Sequence, residues 1–281
     1  MRASGLCLPG LYLVATPIGN LRDISHRALD VLNAVEAILC EDKRVSQKLL
    51  TTWGIKKPLL VYNEHSDDED RRRLLDRLSS DSLALISDAG TPLVSDPGYK
   101  LVRSCLDEGI AVTTIPGPCA MTSALVLSGI SPDRALFAGF LPSRKSSRRK
   151  ALQDLKNVPA SLVFYETANR LQACLKDALE ILGDRPAAVV REISKVHESV
   201  TRAKLSKLAI DGAVTLKGEI TLVISAPDQV KAEKPKERDL ALWISLFRPH
   251  MKARPLAQAL SQVTGLSANK VYTAICNHDQ V

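Results

Sequence analysis

Ser87-Asp88-Ala89-Gly90-Thr91-Pro92-Leu93-Val94-Ser95-Asp96-Pro97-Gly98 follows the apolar run Leu83-Ala84-Leu85-Ile86, and Pro116-Gly117-Pro118-Cys119-Ala120 follows a second run, Ile110-Ala111-Val112-Thr113-Thr114-Ile115. Between them Leu101, Val102, Cys105 and Leu106 repeat at helical spacing, so the stretch reads as strand, loop, helix, strand, loop. In open α/β sheets the loops at the carboxyl ends of the strands face the ligand crevice, and small residues there let backbone approach a polar molecule. A turn needs only one Gly or Pro. The first loop adds Ser87, Asp88, Thr91, Ser95 and Asp96, groups suited to a ribose or an amino acid.

Outward from this unit the pattern repeats. Leu11–Ala15 reads as a strand, followed by the loop Thr16-Pro17-Ile18-Gly19-Asn20 and a helix whose Ala28, Leu32 and Val35 share a face. Ala37–Cys40 ends in the charged loop Glu41-Asp42-Lys43-Arg44, and Leu59–Tyr62 ends in Asn63-Glu64-His65. A second series follows: strand 135–140, helix 147–156, strand 161–165, helix 169–182 stopped by Gly183, then strands 187–191, 196–202 and 219–225. The expected fold class is α/β, with two α/β subdomains over residues 10–118 and 119–227 and a cofactor cleft between them. Residues 228–239, rich in Lys, Glu and Pro, read as a linker. Residues 240–281 read as a small all-helical, helix-turn-helix-like tail, with Thr264-Gly265-Leu266 as the turn and Ser267 as an N-cap. A dimerisation or capping element fits the same helical pattern.

The 281 residues are 45% hydrophobic, enough for a substantial core. No apolar run approaches a membrane span, and Met1–Leu13 lacks the pattern of a signal peptide, so a cytoplasmic protein is expected. The six cysteines are scattered without C-x-x-C pairs or nearby histidines, which suggests neither a zinc site nor a disulfide framework. The formal net charge is +7. Arg144, Lys145, Arg148, Arg149, Lys150 and Lys156 stand against the single acid Asp154, on what reads as a loop and helix start. That placement favours contact with a nucleic acid over a solvated helix face.

Taken in order, Leu11-Tyr12-Leu13-Val14-Ala15-Thr16-Pro17-Ile18-Gly19-Asn20-Leu21, Glu41-Asp42-Lys43-Arg44, the loop 87–98, Ile115-Pro116-Gly117-Pro118, Gly139-Phe140-Leu141-Pro142, Phe164-Tyr165-Glu166 and Lys217-Gly218-Glu219 form a set. This set resembles the bacterial ribosomal RNA small-subunit methyltransferase I family, part of the tetrapyrrole-methylase-like class III enzymes dependent on S-adenosylmethionine (SAM). The resemblance implies a homodimer that holds SAM in the cleft and methylates the ribose 2′-hydroxyl of a decoding-site cytidine in 16S rRNA of the 30S subunit. It also implies SAM contacts from Pro17, Ile18 and Gly19; from Asp88, Gly90, Thr91, Val94, Ser95 and Asp96; and from Pro116, Gly117, Cys119 and Ala120. Tyr165, Glu166, Arg191, Glu192, Gly218 and Glu219 fall where the second subdomain closes over the cofactor. Departures from the family pattern are Lys43 for Thr, Cys119 for Ser, Thr167-Ala168-Asn169-Arg170 for Ser-Pro-His-Arg, and Ala203 for Gly.

Methyl transfer from a sulfonium requires alignment of the acceptor oxygen and gains from a base that takes its proton. Glu41, Asp42, Glu64, His65 and Glu166, on strand-end loops, are the candidate bases, and local capping is the competing role for each. The candidate RNA contacts are Lys43, Arg44, Arg144, Lys145, Arg148, Arg149 and Lys150. Two other functions fit the pattern less well: methylation of a tetrapyrrole precursor on the same fold, and a non-catalytic SAM-sensing regulator that binds nucleic acid through the tail.

Overall fold

A computed structural model describes residues 7–63, 66–228 and 237–279. The chain divides into two compact units, Met1–Pro227 and Asp228–Val281.

The first unit opens with strands β1 (Gly10–Val14), β2 (Ala37–Cys40), β3 (Leu59–Val61), β4 (Ser82–Leu85) and β5 (Val112–Ile115). They form a parallel sheet in the order β3-β2-β4-β1-β5. Burial on both faces explains why the strands read as continuous apolar runs rather than alternating ones. Ile38 and Cys40 pack with helices α1 (His26–Ala34) and α2 (Lys43–Thr52), through Leu32 and Leu50. Ala37 and Leu39 turn to the opposite layer, with Leu75 and Leu78 of α3 (Asp68–Leu78) and Leu101 and Cys105 of α4 (Tyr99–Asp107). Neighbouring strands β1 and β4 therefore send their following helices to opposite faces. That reversal opens a crevice beyond their carboxyl ends, the usual ligand position in such sheets.

Helix α5 (Ala120–Ser128) leads to a second sheet of β6 (Ala135–Phe140), β7 (Ser161–Thr167), β8 (Pro186–Arg191), β9 (Ser199–Lys204) and β10 (Glu219–Ile224), in the order β6-β7-β10-β8-β9. Only β6 and β7 run parallel; β10 pairs antiparallel with β7 and β8, and β8 with β9. One face packs Leu162, Phe164, Val189 and Leu222 against α6 (Lys145–Leu155), α7 (Ala168–Leu182) and α8 (Leu205–Leu208). The other packs Val163, Val190 and Val223 against Ala124 of α5.

Two local expectations change. The charged loop at 41–44 is the start of α2, because the Asp42 carboxylate accepts from the Arg44 backbone N–H and caps the helix. The basic run expected on a loop and the start of a helix at 147 lies largely within α6, which begins at Lys145, so its side chains are sorted by helix face.

In the second unit α9 (Glu237–Phe247), α10 (Ala253–Thr264) and α11 (Ala268–His278) share a core of Leu240, Ile244, Leu256, Leu260, Val271 and Ile275. Gly265 adopts the left-handed conformation at the end of α10, and the Ser267 hydroxyl accepts from the Lys270 N–H to start α11. Of the expected linker 228–239, residues 229–236 lie outside the described residues. Among the described residues no helix is long and apolar enough to cross a membrane.

The two units hold separate apolar clusters. Deletion of residues 229–281 is expected to shift the thermal midpoint, followed by circular dichroism, by no more than about 4 °C, the equivalent of roughly 1 kcal/mol for a domain of this size. A non-cooperative transition would show that the first unit depends on the tail.

Candidate active site

A cavity of about 320 Å³ lies between the strand-end loops of the first sheet and the second sheet. Its first wall is Ile18 from the β1 loop and Asp88, Gly90, Thr91, Val94, Ser95 and Asp96 from the β4 loop, with Ala120 at the start of α5. Its second wall is Tyr165, Glu166 and Thr167 of β7, Val190 of β8, Ile193, and Gly218 to Thr221 leading into β10. The size falls within the usual range for small-molecule sites.

Backbone pairing holds the first wall. The Thr16 N–H donates to the Gly90 carbonyl at 2.8 Å, and the Gly90 N–H returns a bond to the Thr16 carbonyl at 3.1 Å. The Thr16 hydroxyl donates to Ser87 O, and the Thr91 hydroxyl reaches Pro118 O, which ties the loops after β1, β4 and β5 together. The Gly90 amide is thus spent on the loop itself and is not free for a ligand. Gly90 has φ +86°, and an added Cβ would lie 3.2 Å from Ile18 Cγ2. Leu93 and Ser95 also adopt positive φ, at 71° and 66°. Such left-handed non-glycine residues persist where surrounding structure over-determines them, and they concentrate at ligand clamps.

Acids crowd the floor. Asp88 accepts from the Asp42 backbone N–H, and burial holds its pKa above the usual carboxylate range. Asp96 is pushed up to about 6, chiefly by burial, with the charges of Glu41 and Asp88 adding and a Ser87 hydrogen bond opposing. Crowded carboxylates of this kind disfavour a further anion and favour a cation.

The second wall carries Tyr165, whose hydroxyl accepts from the Met121 N–H at 3.2 Å and whose ring packs edge-on to Phe137 and Phe140. Burial raises its pKa well above the ordinary phenol value. Glu166 is 2% exposed. Its Oε1 accepts from the Thr167 N–H and faces the Arg170 guanidinium at 3.2 Å, while Oε2 has no hydrogen-bond partner among the described residues. Arg170 also donates to the Leu141 carbonyl, which links the cavity wall to the end of β6. A buried carboxylate oxygen without a donor costs about 1–3 kcal/mol, here set against the Arg170 charge beside the same carboxylate.

Other expected cofactor residues stand behind these walls. Pro17 is buried beneath the β1 loop, Gly19 abuts the Lys195 side chain, and Gly117 abuts Ala15. Pro116 is exposed, and Cys119 sits beside the Tyr165 hydroxyl without lining the cavity. Arg191 binds Ser199 Oγ and the carbonyls of His197 and Lys217, so it straps the strand ends and does not line the cavity. The Glu192 carboxylate accepts from the Glu219 N–H and from Lys195. It fixes the turn at Gly218, where φ is +80° and any Cβ would overlap that carboxylate. Phe140, Thr167, Val190, Ile193, Ile220 and Thr221 line the cavity without having been expected there, because nothing in the local sequence sets them apart from their neighbours.

Among the candidate bases, Asp42 is corrected to a structural cap. Hydrogen bonds from the Arg44 side chain and backbone lower its pKa to about 2, too low to take a proton from a hydroxyl efficiently. Glu41 is exposed and has a polar partner. Glu64 and His65 lie outside the described residues. Among the described residues no group of three or more His, Cys, Asp or Glu could hold a metal ion.

Of the candidate RNA contacts, Lys43, Arg44, Arg144, Lys145 and Lys150 are exposed, Arg44 in a pair with Asp42. Arg148 is corrected: its side chain is 6% exposed and its guanidinium is bound to the equally buried Asp177 at 2.7 Å, with a further bond to Ser143 O. Arg149 is committed to Asp177 and Glu180. These two arginines clamp α6 to α7 and are not available to a phosphate.

The fold and cavity define a class. The family model of the tetrapyrrole (corrin/porphyrin) methylases matches residues 10–209. A solved uroporphyrin-III-C-methyltransferase from Thermus thermophilus superposes with a TM-score of 0.55 at 20% identity, over 77% of this chain and 94% of that one. Closer in sequence are two proteins named ribosomal RNA small subunit methyltransferase I. That of Mesorhizobium japonicum is 45% identical across 94% of this chain and 90% of its own length, and that of Xylella fastidiosa 41% identical across 94% and 98%. The chain belongs to the ribosomal RNA small subunit methyltransferase I family within the tetrapyrrole methylases.

The two kinds of arginine separate experimentally. Arg148→Ala leaves Asp177 buried without its partner and is expected to cost about 3–5 kcal/mol in denaturant unfolding. Arg144→Ser and Lys150→Ser are expected to stay within about 0.5 kcal/mol of the parent. Equal stability of Arg148→Ala and the parent would return Arg148 to the surface set.

Proposed function

We propose that this protein transfers a methyl group from SAM to the ribose 2′-hydroxyl of a decoding-site cytidine in 16S rRNA within the 30S subunit. The observation that carries the cofactor half is a cavity that sets the carboxylates Asp88 and Asp96 of the β4 loop opposite a largely apolar second wall. SAM offers a sulfonium, an ammonium and hydroxyl donors, which suit a floor of carboxylates. Its adenine suits the apolar patch of Ile18, Val94, Val190, Ile193 and Ile220. When bound, SAM supplies an electrophilic methyl group.

The chain's own contribution is placement. The paired loops at Thr16 and Gly90 fix one wall, and the Glu192-braced turn at Gly218 fixes the other. A pocket held from both sides supports the alignment on which methyl transfer depends. The RNA half of the reading rests on the relatives' names and on α6. That helix has no acid in its first turn and presents Arg144, Lys145 and Lys150 to solvent. Cations at a helix N-terminus oppose the macrodipole, so the arrangement is locally unfavourable and serves to attract phosphate.

Tritium from labelled SAM is expected to enter 16S rRNA when the protein is incubated with unmethylated 30S subunits, with little entering duplex DNA. Labelling of a tetrapyrrole precursor instead would refute the RNA assignment. Gly90→Val, which places a branched side chain at positive φ against Ile18, is expected to weaken SAM binding at least a hundredfold by calorimetry, about 2.7 kcal/mol. Unaltered affinity would exclude this loop as the cofactor cradle.

A further inference from the structure

A second cavity, about 350 Å³, adjoins the first. It is lined by Tyr62, Asn63 and Ser66 after β3, Arg71 of α3, and the run Asp96-Pro97-Gly98-Tyr99-Lys100 that enters α4. Among the described residues Asp96 is common to both cavities. The two share one carboxylate at their boundary.

The linings differ in chemistry. The first cavity is apolar with carboxylates. The second is polar and carries cations beside aromatic rings. Arg71 is occupied, with its guanidinium on Ser66 O and on Asp68, and it braces the wall. Lys100 is exposed and unpaired among the described residues, and Tyr99 is 71% exposed. Gly98 begins α4 without a side-chain cap, so no side chain occupies the helix start beside Lys100. An exposed lysine beside a helix start suits a phosphate, and an exposed tyrosine ring suits stacking with a base. The cavity is large enough for a nucleotide turned out of its stack, as enzymes acting on single nucleotides require.

Resting on the rRNA methyltransferase reading, we propose that the second cavity receives the target nucleotide, with Tyr99 against its base and Lys100 on its phosphate, and that Asp96 is the general base for the ribose hydroxyl. The hydroxyl proton passes to the Asp96 carboxylate as the ribose oxygen forms a bond to the methyl carbon of the sulfonium donor. The methyl–sulfur bond breaks, and its electron pair remains on sulfur as a neutral thioether. Charge balances, since the donor loses its positive charge and Asp96 its negative one.

The environment of Asp96 suits that role. Glu41 and Asp88 face it from the loops after β2 and β4, Tyr165 from β7, and Ser87 hydrogen-bonds to it. Lys100 and Arg71 stand across the second cavity. A carboxyl that ionises near pH 6 is a stronger base than an ordinary aspartate and is still ionised at pH 7. The rate is therefore expected to rise with pH up to about 6 and to level above it.

Three full-length variants test the proposal. Asp96→Asn is expected to lower kcat on 30S subunits at least about a hundredfold with KM little changed, and to abolish the acid limb of the pH profile. Tyr99→Ser and Lys100→Glu, both at the surface, are expected to raise KM about tenfold, with kcat and the SAM dissociation constant held within about twofold. Cytidine 5′-monophosphate, followed by ligand-observed NMR, is expected to bind the parent and to be lost in Lys100→Glu. An acid limb retained in Asp96→Asn would overturn its role as base. Unchanged KM and unchanged nucleotide binding in Tyr99→Ser and Lys100→Glu would overturn the pocket. A parent that binds cytidine 5′-monophosphate through Lys100 but labels no ribosomal RNA would support the pocket and refute the rRNA reading.

Discussion

Two backbone hydrogen bonds between Thr16 and Gly90 join the loops that leave β1 and β4, where the following helices diverge to opposite faces of the sheet. Much of the cavity depends on them. Because Gly90 is held close enough to pair with Thr16, the β4 loop must turn back on itself, which it does through positive φ at Gly90, Leu93, Ser95 and Gly98. That return path brings Asp88 and Asp96 to the cavity and leaves Asp96 facing the second cavity as well. The opposite wall has its own fastening in Glu192, which binds the Glu219 amide and closes the turn that presents Gly218.

Charge is distributed with the same logic. The chain is basic overall, yet the acids Glu41, Asp42, Asp88 and Asp96 gather near the cleft floor while exposed cations stand on α2 and α6. An RNA backbone is drawn to the outer cations and repelled from the carboxylates, whereas a cationic donor is drawn inward. Arg148 and Arg149 belong to neither set: with Asp177 and Glu180 they hold α6 on α7, and so fix the direction in which Arg144 and Lys145 project.

Much of this was legible from local pattern. The strand and helix sequence, the loop 87–98 and the Ser267 cap follow from spacing and residue type within a few positions. What escaped depends on partners remote in sequence. Nothing near Arg148 announces Asp177 twenty-nine positions on, and without that partner a buried arginine looks like an exposed one. Asp42 looked like a candidate base because its capping role shows only once the helix after it is seen. Arg191 and Glu192 stand beside the cavity and do not line it, and sequence order does not say which way a strand-end side chain turns. The second wall was the least legible part, because Val190, Ile220 and Thr221 differ in no local feature from the core residues beside them.

The position of β1 bears on synthesis. Strand β1 pairs on one side with β4 and on the other with β5, and with neither β2 nor β3, which lie between β1 and β4 in the chain. Leu11, Tyr12 and Leu13 therefore stay without sheet partners until Ser82–Leu85 has been translated, on the order of several seconds at about 5–20 residues per second. Strands β2 and β3 can pair with each other in that interval, but the sheet cannot close around β1 until β5 follows. Of the strands in this sheet β1 thus waits longest for its place, and a nascent chain that ends between β3 and β4 holds an apolar strand with no sheet partner.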